Sequence, residues 1–294
     1  MRARKRFGQH FLHDPAVLGR IASAISPRAG DHVVEIGPGR GALTHALLED
    51  WAGLAGPEAA SPRSSPGTGN PRSNHETAGP DSSLDLIEID RDLAPRLRDE
   101  LAGNSRIAVH EADALDFDFA KLAEQRGGRL RIVGNLPYNI STPLLFHLLD
   151  SADVIEDMHV MLQREVVERI AARPGTGDYG RLTVMLAPRV QAESLFDVGP
   201  GAFQPPPRVW SAVVRLIVRR EPAFKVSPHF AAVVSAAFSH RRKTIRNALR
   251  NVVSPEQIAA CDVDLTSRPE TLSPDSFNRL ATTLDHTLPS PLSP

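Results

Sequence analysis

Groups that could hold a planar ligand occur together in four consecutive residues: Asn135, Leu136, Pro137 and Tyr138. They follow the run LRIV at residues 130–133, which is typical of a buried strand in a parallel sheet. Ligands bind beyond the carboxyl ends of such strands, so we expect these four residues at a binding site. A polar turn that caps a helix starting near Ser141 is the alternative interpretation.

The four residues suit an adenine that has been extruded from a nucleic acid, and we assign them to catalysis. The Asn135 side-chain oxygen and the Leu136 carbonyl, fixed by Pro137, can accept hydrogen bonds from an exocyclic amine. The Tyr138 ring offers a face for stacking. Such an amine is a poor nucleophile because its lone pair is delocalised into the ring, so positioning has to carry most of the catalysis. The motif therefore predicts methyl transfer to adenine N6, with solvent as the base.

A glycine-rich turn follows the first predicted strand. In EIGPGRGAL, residues 35–43, the glycines Gly37, Gly39 and Gly41 allow the backbone to approach a ligand at the start of a helix. With Ala42 the stretch also matches the looser dinucleotide pattern G-x-G-x-x-G/A, so a nicotinamide oxidoreductase remains an alternative.

Three carboxylates at successive strand ends favour S-adenosylmethionine over a dinucleotide. Glu35, directly before the glycines, repels pyrophosphate but suits a ligand with an ammonium group and a sulfonium cation. Glu88 is placed to accept hydrogen bonds from both ribose hydroxyls, and Asp113 can receive the adenine amino group. We also place Ala114, next to Asp113, at the cofactor site.

Strands alternate with helices through the first two thirds of the chain. This order predicts right-handed βαβ units and a mostly parallel, doubly wound α/β sheet. The first strand is expected at residues 32–36, and an antiparallel pair made by AESLFDV and VWSAVVRLIV should close the sheet. Short helices are expected after residue 221, separated by Pro, Ser and Asp caps.

These patterns define the predicted organisation: a domain over residues 1–220, a small helical domain over 221–287 and a disordered tail over 288–294. Residues 52–83 interrupt the first domain, because 16 of these 32 residues are Pro, Gly or Ser and Leu54 is the one large apolar side chain. Burial of so little apolar surface cannot offset the ordering entropy, so we interpret the segment as a mobile surface insertion.

The net charge of −1 conceals a strong asymmetry. Residues 1–12 carry four Arg or Lys and no acid, and residues 215–250 carry nine against Glu221 alone. Two basic regions on an acidic protein predict contact with a polyanion.

The sequence also indicates where the protein acts. The single cysteine excludes an internal disulfide and favours a reducing compartment. Neither a signal peptide nor a membrane span is evident, so we expect a cytoplasmic protein.

The motifs together resemble those of the small-subunit ribosomal RNA adenine N6-dimethyltransferases, over nearly the whole chain apart from residues 52–83 and the tail. The resemblance rests on these stretches: RKRFGQHFL, VEIGPGRGALT, LIEIDRDL, EADAL, GNLPYNISTPLLFHLL, MLQREVVERI, YGRLTVM, FQPPPRVWSAVVRL and RRKTIRNAL.

This resemblance implies a seven-stranded class I methyltransferase domain and a small helical domain. The implied activity is dimethylation of two adjacent adenosines in a hairpin near the 3′ end of small-subunit (16S) RNA, during subunit biogenesis. The implied cofactor contacts are His10, Leu12, Gly37, Glu88, Asp113 and Asn135. His10 departs from a common Asn, so a contact through that side chain is in doubt, whereas one through the backbone is not.

Two basic segments and one aromatic residue are candidates for RNA binding. A helical projection of RRKTIRNALR places Arg242, Lys243, Arg246 and Arg250 on one face, opposite an apolar stripe, so this face should contact phosphates. In the N-terminal segment the candidates are Arg4, Lys5 and Arg6. Phe203 could pair with Tyr138 around the target base, and packing in the core is the alternative.

The expected partner is the small ribosomal subunit or its RNA, bound by a monomer without a metal. His147 and His159 lie in apolar stretches without partners at metal-binding spacing, so we interpret them as packed histidines. Three other functions remain open besides the oxidoreductase: methylation of large-subunit RNA, methylation of DNA, and non-catalytic assistance of ribosome assembly.

Overall fold

The fold was analysed in a computed structural model, which describes residues 10–51, 82–240 and 242–285. The strands are β1 Phe11–Leu12, β2 His32–Ile36, β3 Ser83–Glu88, β4 Ile107–Glu111, β5 Leu130–Asn135, β6 Ile155–Gln163, β7 Val190–Val198, β8 Phe203–Gln204 and β9 Ser211–Val218. The α-helices are α1 Pro15–Ile25, α2 Ala42–Asp50, α3 Ala94–Leu101, α4 Phe119–Arg126, α5 Ser141–Asp150, α6 Arg164–Ile170, α7 Arg181–Leu186, α8 Phe230–Ala237, α9 Ile245–Leu249, α10 Pro255–Ala260 and α11 Pro274–Thr282.

Seven of the described strands form one sheet in the order β4-β3-β2-β5-β6-β9-β7. The pairs β3/β4, β2/β3, β2/β5 and β5/β6 are parallel, and β9 runs antiparallel to β6. Every residue of β2 and β3 is buried, as expected for strands covered on both faces. The prediction of a mostly parallel, doubly wound α/β sheet is confirmed.

A second, two-stranded sheet was not predicted. Here β1 pairs antiparallel with β8, so that Phe11 lies opposite Gln204 and Leu12 opposite Phe203. A 3₁₀ turn at Pro200–Ala202 precedes β8. This pairing brings the beginning of the described chain to a segment nearly 200 residues further on.

The chain divides into two compact units, each with its own core. The first consists of Met1–Arg164 and Leu195–Ile217, and the second of Glu165–Ser194 and Val218–Pro294. The structure therefore differs from the single boundary predicted near residue 220. Tyr179 and Val184 belong to the core formed around α8 to α11, and the Tyr179 hydroxyl donates a hydrogen bond to the Leu272 carbonyl at 2.7 Å.

The insertion predicted at residues 52–83 extends too far at its C-terminal end. Ser83 begins β3, and the buried Ser82 hydroxyl accepts a hydrogen bond from the Gly30 N–H at 2.8 Å. The segment 52–81 lies outside the described residues, as does the predicted tail at 288–294.

Arg131 is a buried cation within β5, although the sequence of this strand is typical of a buried apolar strand. Only 8% of the residue is exposed. Its guanidinium donates to Asp31 at 2.6 Å and to Asp157 at 2.9 Å, and to the Ile25 carbonyl at 2.8 Å. The two carboxylates compensate the buried charge, which a strand interior would not tolerate unpaired.

Candidate active site

A cavity of about 550 Å³ lies in the first unit, beyond the carboxyl ends of β2, β3 and β5. Most of the residues predicted to bind cofactor or to act in catalysis line it: His10, Leu12, Glu35, Gly37, Gly39, Glu88, Asp113, Ala114, Asn135, Leu136, Pro137 and Tyr138. Parallel strands present their carboxyl ends at one edge, which explains why distant motifs meet here.

The glycine turn forms one wall of the cavity. Gly37 donates its N–H to the Ile87 carbonyl at 2.9 Å, which ties the turn to β3. Gly39 has φ +60°, and a Cβ there would come within 3.1 Å of the Phe11 ring. The predicted ligand residue Gly41 lies outside this lining: it is the N-cap of α2, and a Cβ there would lie 3.1 Å from Leu97 and 3.2 Å from His45.

Glu35 is a buried acid at the cavity. Its Oε2 accepts a hydrogen bond from the Thr44 hydroxyl at 2.6 Å, and 2% of the residue is exposed. Burial raises the pKa of this carboxyl to about 7, against the effect of Thr44, and the charge of Glu88 raises it further. Two carboxylates that disfavour each other's charge make the cavity suited to a cation and unsuited to pyrophosphate.

Glu88 fixes the glycine turn from the end of β3. Its Oε2 accepts from the Gly39 N–H and its Oε1 from the Asp90 N–H, both at 2.9 Å. Burial nevertheless raises the pKa of Glu88. Each carboxylate oxygen has a second lone pair, so these bonds orient the group without exhausting its capacity to accept. The sequence did not indicate this bond to Gly39.

Asp113 is held by its own turn after β4. Its Oδ1 accepts from the Leu115 N–H at 2.9 Å, and its carbonyl accepts from the Asp116 N–H at 3.1 Å. In turns, an aspartate side chain often accepts a hydrogen bond from the backbone N–H two residues later in the chain. The carboxylate is thereby positioned at the cavity, as predicted.

The Asn135 side chain has a defined orientation. Its Nδ2 donates to the His10 carbonyl at 3.0 Å. A carbonyl can only accept, so the amide nitrogen must face His10 and Oδ1 must point the other way. The carbonyl of His10 and not its imidazole makes this contact with Asn135, so it does not depend on which side chain stands at position 10. The predicted contact of His10 with the cofactor stays a prediction.

Gly134 permits the placement of Asn135. Its φ is +155°, and a Cβ there would lie 2.4 Å from the Ile36 carbonyl oxygen. The absent side chain lets β5 approach the end of β2, where the glycine turn begins. Gly134 belongs to the GNLPYNISTPLLFHLL stretch, but the residue pattern alone did not indicate this function.

Tyr138 is anchored at both its hydroxyl and its ring. The hydroxyl forms a 2.6 Å hydrogen bond with Ser211 Oγ at the start of β9. The ring stacks with that of His10, with centroids 5.9 Å apart and planes at 28°. The His10 ring in turn donates from Nδ1 to the Pro205 carbonyl at 2.8 Å. Ser211 and Pro205 are positioning groups that the sequence did not reveal.

Comparison with known proteins identifies the family. The model of the ribosomal RNA adenine dimethylases matches residues 1–53 and 75–286. This chain belongs to that family. The unmatched residues between 53 and 75 lie inside the predicted insertion. A protein of Pseudomonas aeruginosa named ribosomal RNA small subunit methyltransferase A is 50% identical over 290 residues, covering 96% of this chain and 95% of its own length.

Two solved structures resemble this adenine dimethylase over nearly its full length. The 23S rRNA methyltransferase ErmE is 27% identical with a TM-score of 0.65, covering 94% of this chain and all of its own. A dimethyladenosine transferase from Plasmodium falciparum has a TM-score of 0.70 at 21% identity, covering 94% and 98%, and supports the fold. The predictions of a class I methyltransferase fold, an enzyme and S-adenosylmethionine as cofactor are confirmed.

Of the two interpretations of Phe203, packing in the core agrees with the structure and stacking on the target base does not. Phe203 is 1% exposed and belongs to the core of the first unit. It is not among the residues that line the cavity. The pairing of β8 with β1 turns this side chain inward, opposite Leu12.

The basic segment of this adenine dimethylase is less helical than predicted. Helix α9 covers Ile245–Leu249, so Arg242 and Lys243 precede it and do not share its face. Arg242, Arg246 and Arg250 are exposed, and Lys243 is half-buried. Ile245 and Leu249 are buried in the core of the second unit, as the apolar stripe predicted. Arg4, Lys5 and Arg6 lie outside the described residues.

The described residues contain no cluster of three or more His, Cys, Asp or Glu that could bind a metal. His147 donates from Nε2 to the Phe117 carbonyl at 2.9 Å, and His159 is buried in β6. In the same parts of the chain, no helix has the length and apolar character needed to cross a membrane.

Proposed function

We propose that this adenine dimethylase methylates N6 of two adjacent adenosines in the 3′-terminal hairpin of small-subunit (16S) ribosomal RNA, during subunit biogenesis. The observation that carries the proposal is the orientation of Asn135. With its NH₂ bound to the His10 carbonyl, its Oδ1 is the atom available to accept a hydrogen bond from the adenine amine.

The cavity fits S-adenosylmethionine by the chemistry of its donor set. Glu35 is buried with a raised pKa beside a second acid, so a ligand with positive charge would stabilise its ionised form. Glu88 would accept from the ribose hydroxyls and Asp113 from the adenine amine of the cofactor. When bound, this cofactor supplies an electrophilic methyl group on a positively charged sulfur.

The residues of the chain act on the acceptor by orientation. Asn135 Oδ1 and the Leu136 carbonyl accept from the substrate amine, and their dipoles stabilise the positive charge that develops on nitrogen. The Tyr138 ring, held by Ser211, provides the stacking face. After one methylation a single N–H remains, and either acceptor can hold it for the second transfer.

Small-subunit RNA is the preferred substrate on the strength of the relatives. The P. aeruginosa protein named for the small subunit is 50% identical, whereas the 23S rRNA methyltransferase ErmE is 27% identical. Large-subunit RNA is the second candidate because ErmE shares the full-length fold. We propose further that the protein acts in the cytoplasm, as a monomer and without a metal. The monomer is supported by the fact that all residues named at the cavity come from the first unit.

The decisive experiment is incubation of the purified protein with a radiolabelled methyl donor and with separated, unmethylated small and large subunits. Mapping of the labelled nucleotides should find dimethylated adenosines in small-subunit RNA. Label in the large subunit alone would overturn the substrate assignment. Absence of label with intact cofactor binding, measured by calorimetry, would instead favour a non-catalytic assembly factor.

A further inference from the structure

An exposed indole lies at the same edge of the sheet as the cavity. Half of Trp210 is exposed, at 50%, whereas the other tryptophan, Trp51, is 3% exposed. Trp210 directly precedes Ser211, whose hydroxyl bonds to the Tyr138 hydroxyl. Ser211 pairs with Gln163 at the carboxyl end of β6, so Trp210 lies just beyond the edge at which ligands are expected.

The indole of Trp210 is held in place, although it is exposed. A Cβ built on Gly199 would lie 3.6 and 3.7 Å from two of its ring carbons, so the backbone there packs against the ring. The Trp210 carbonyl accepts from the Arg164 N–H at 2.9 Å. The Arg164 guanidinium lies 5.9 Å from the ring centroid, within the range of a cation–π contact, and also 3.7 Å from Asp197.

The neighbouring residues have the chemistry of a nucleic-acid surface. Val209 is 43% exposed and Arg208 is exposed as well. An indole with the Arg164 guanidinium beside it, packed against Gly199 and half exposed, matches the stacking platforms that bind unpaired bases next to a backbone. An isolated exposed apolar residue needs no explanation, but an aromatic ring that is held in place with an arginine beside it, near the proposed base-binding site, does.

We propose that Trp210, with Arg164 beside it, forms a subsite for an unpaired base of the RNA next to the target adenosine. The inference rests on the proposed function, because the cavity must receive an extruded adenine for a neighbouring base to reach this surface. Stacking on Trp210 would hold the strand while Asn135 and Tyr138 act on the adenine. The subsite contributes to binding of the RNA and makes no contact with the reacting atoms.

The two tryptophans make the proposal measurable by fluorescence. In a Trp51→Phe variant, Trp210 is the sole indole of the chain. Addition of unmethylated small subunits should quench its emission and protect it from acrylamide. Should Trp51→Phe fail to fold, acrylamide quenching of the wild type reports the exposed indole selectively, since Trp51 is buried. Unchanged accessibility of Trp210 in the bound state would overturn the proposal.

Variants test the contribution to affinity. Trp210→Ala should weaken binding of small subunits by at least about fivefold, Trp210→Phe should recover much of the loss, and cofactor affinity should not change. Ile217→Ala is the matched control, because Ile217 is an apolar residue of β9 with 42% exposure. Equal effects of both alanine variants would refute the subsite while wild-type methylation still supports the proposed function. Failure of the wild type to methylate would refute both.

Discussion

Replacement of Glu35 by glutamine should stabilise the protein at high pH while weakening cofactor binding. The folded-state pKa of Glu35 is about 7, raised mainly by burial, compared with 4.5 for the unperturbed group. Below pH 4.5 the carboxyl is protonated in both states. Between the two values the unfolded chain releases the proton and the folded chain keeps it, so stability falls as pH rises.

The size of the effect follows from the difference of 2.5 pKa units. At about 1.36 kcal/mol for each unit, ionised Glu35 lowers the free energy of unfolding by about 3 kcal/mol above pH 7. Glutamine keeps an oxygen for the Thr44 hydroxyl and carries no charge. Part of this loss is already present at pH 5, so Glu35→Gln should gain about 2.5 kcal/mol relative to wild type between pH 5 and pH 8.

Urea unfolding of both proteins at the two pH values, without cofactor, measures this difference, and titrating groups that do not interact with Glu35 cancel in the comparison. Glu156→Gln, at an exposed position of β6, is the control and should show no such dependence. Calorimetry at pH 8 should show weaker binding of S-adenosylmethionine by Glu35→Gln. A gain below about 1 kcal/mol, or a lower stability than wild type at pH 8, would refute the conclusion that burial raises the pKa of Glu35 to about 7.

Four further substitutions test the site and its supports. Asn135→Ala should lower the methylation rate about 100-fold or more while RNA binding changes little, and equal loss of both would contradict its function. Gly134→Ala should cost more than about 2 kcal/mol in urea unfolding, because its Cβ would collide with the Ile36 carbonyl; a neutral result would show that the strands can separate. Arg131→Met should cost about 3–5 kcal/mol by leaving two half-buried acids, Asp31 and Asp157, without their cation, and a stable variant would mean that water solvates them. Arg246→Glu should weaken RNA binding and flatten its salt dependence, so an unchanged slope in filter binding would remove this residue from the interface.

Sequence patterns predicted the elements whose positions depend on local chemistry. The bounds of β2 were predicted as His32–Ile36 because a buried parallel strand is apolar throughout. Asn135 and Glu88 were placed correctly at the cavity, since the ends of parallel strands must meet at one edge. Both inferences needed only the order of strands and the residue types at their ends.

Features that depend on contacts between distant segments were missed. The inward position of Phe203 follows from its pairing with β1, which lies some 190 residues earlier. The short α9 was predicted too long because Arg242 and Lys243 are compatible with a helix, but Thr244 has the extended conformation of an N-cap and starts the helix later. Neither fact can be derived from residue periodicity, which carries no information about tertiary partners.

The hydrogen bond between Asn135 and His10 joins residues 125 positions apart. An amide can be turned end for end at almost no cost in shape, and only the fixed carbonyl of residue 10 decides which end meets the substrate. A protein shortened past this residue would retain every group named in the asparagine motif. Its amide would be free to turn its NH₂ towards the NH₂ of the substrate, where a donor should meet an acceptor, so an intact motif alone does not guarantee a competent enzyme.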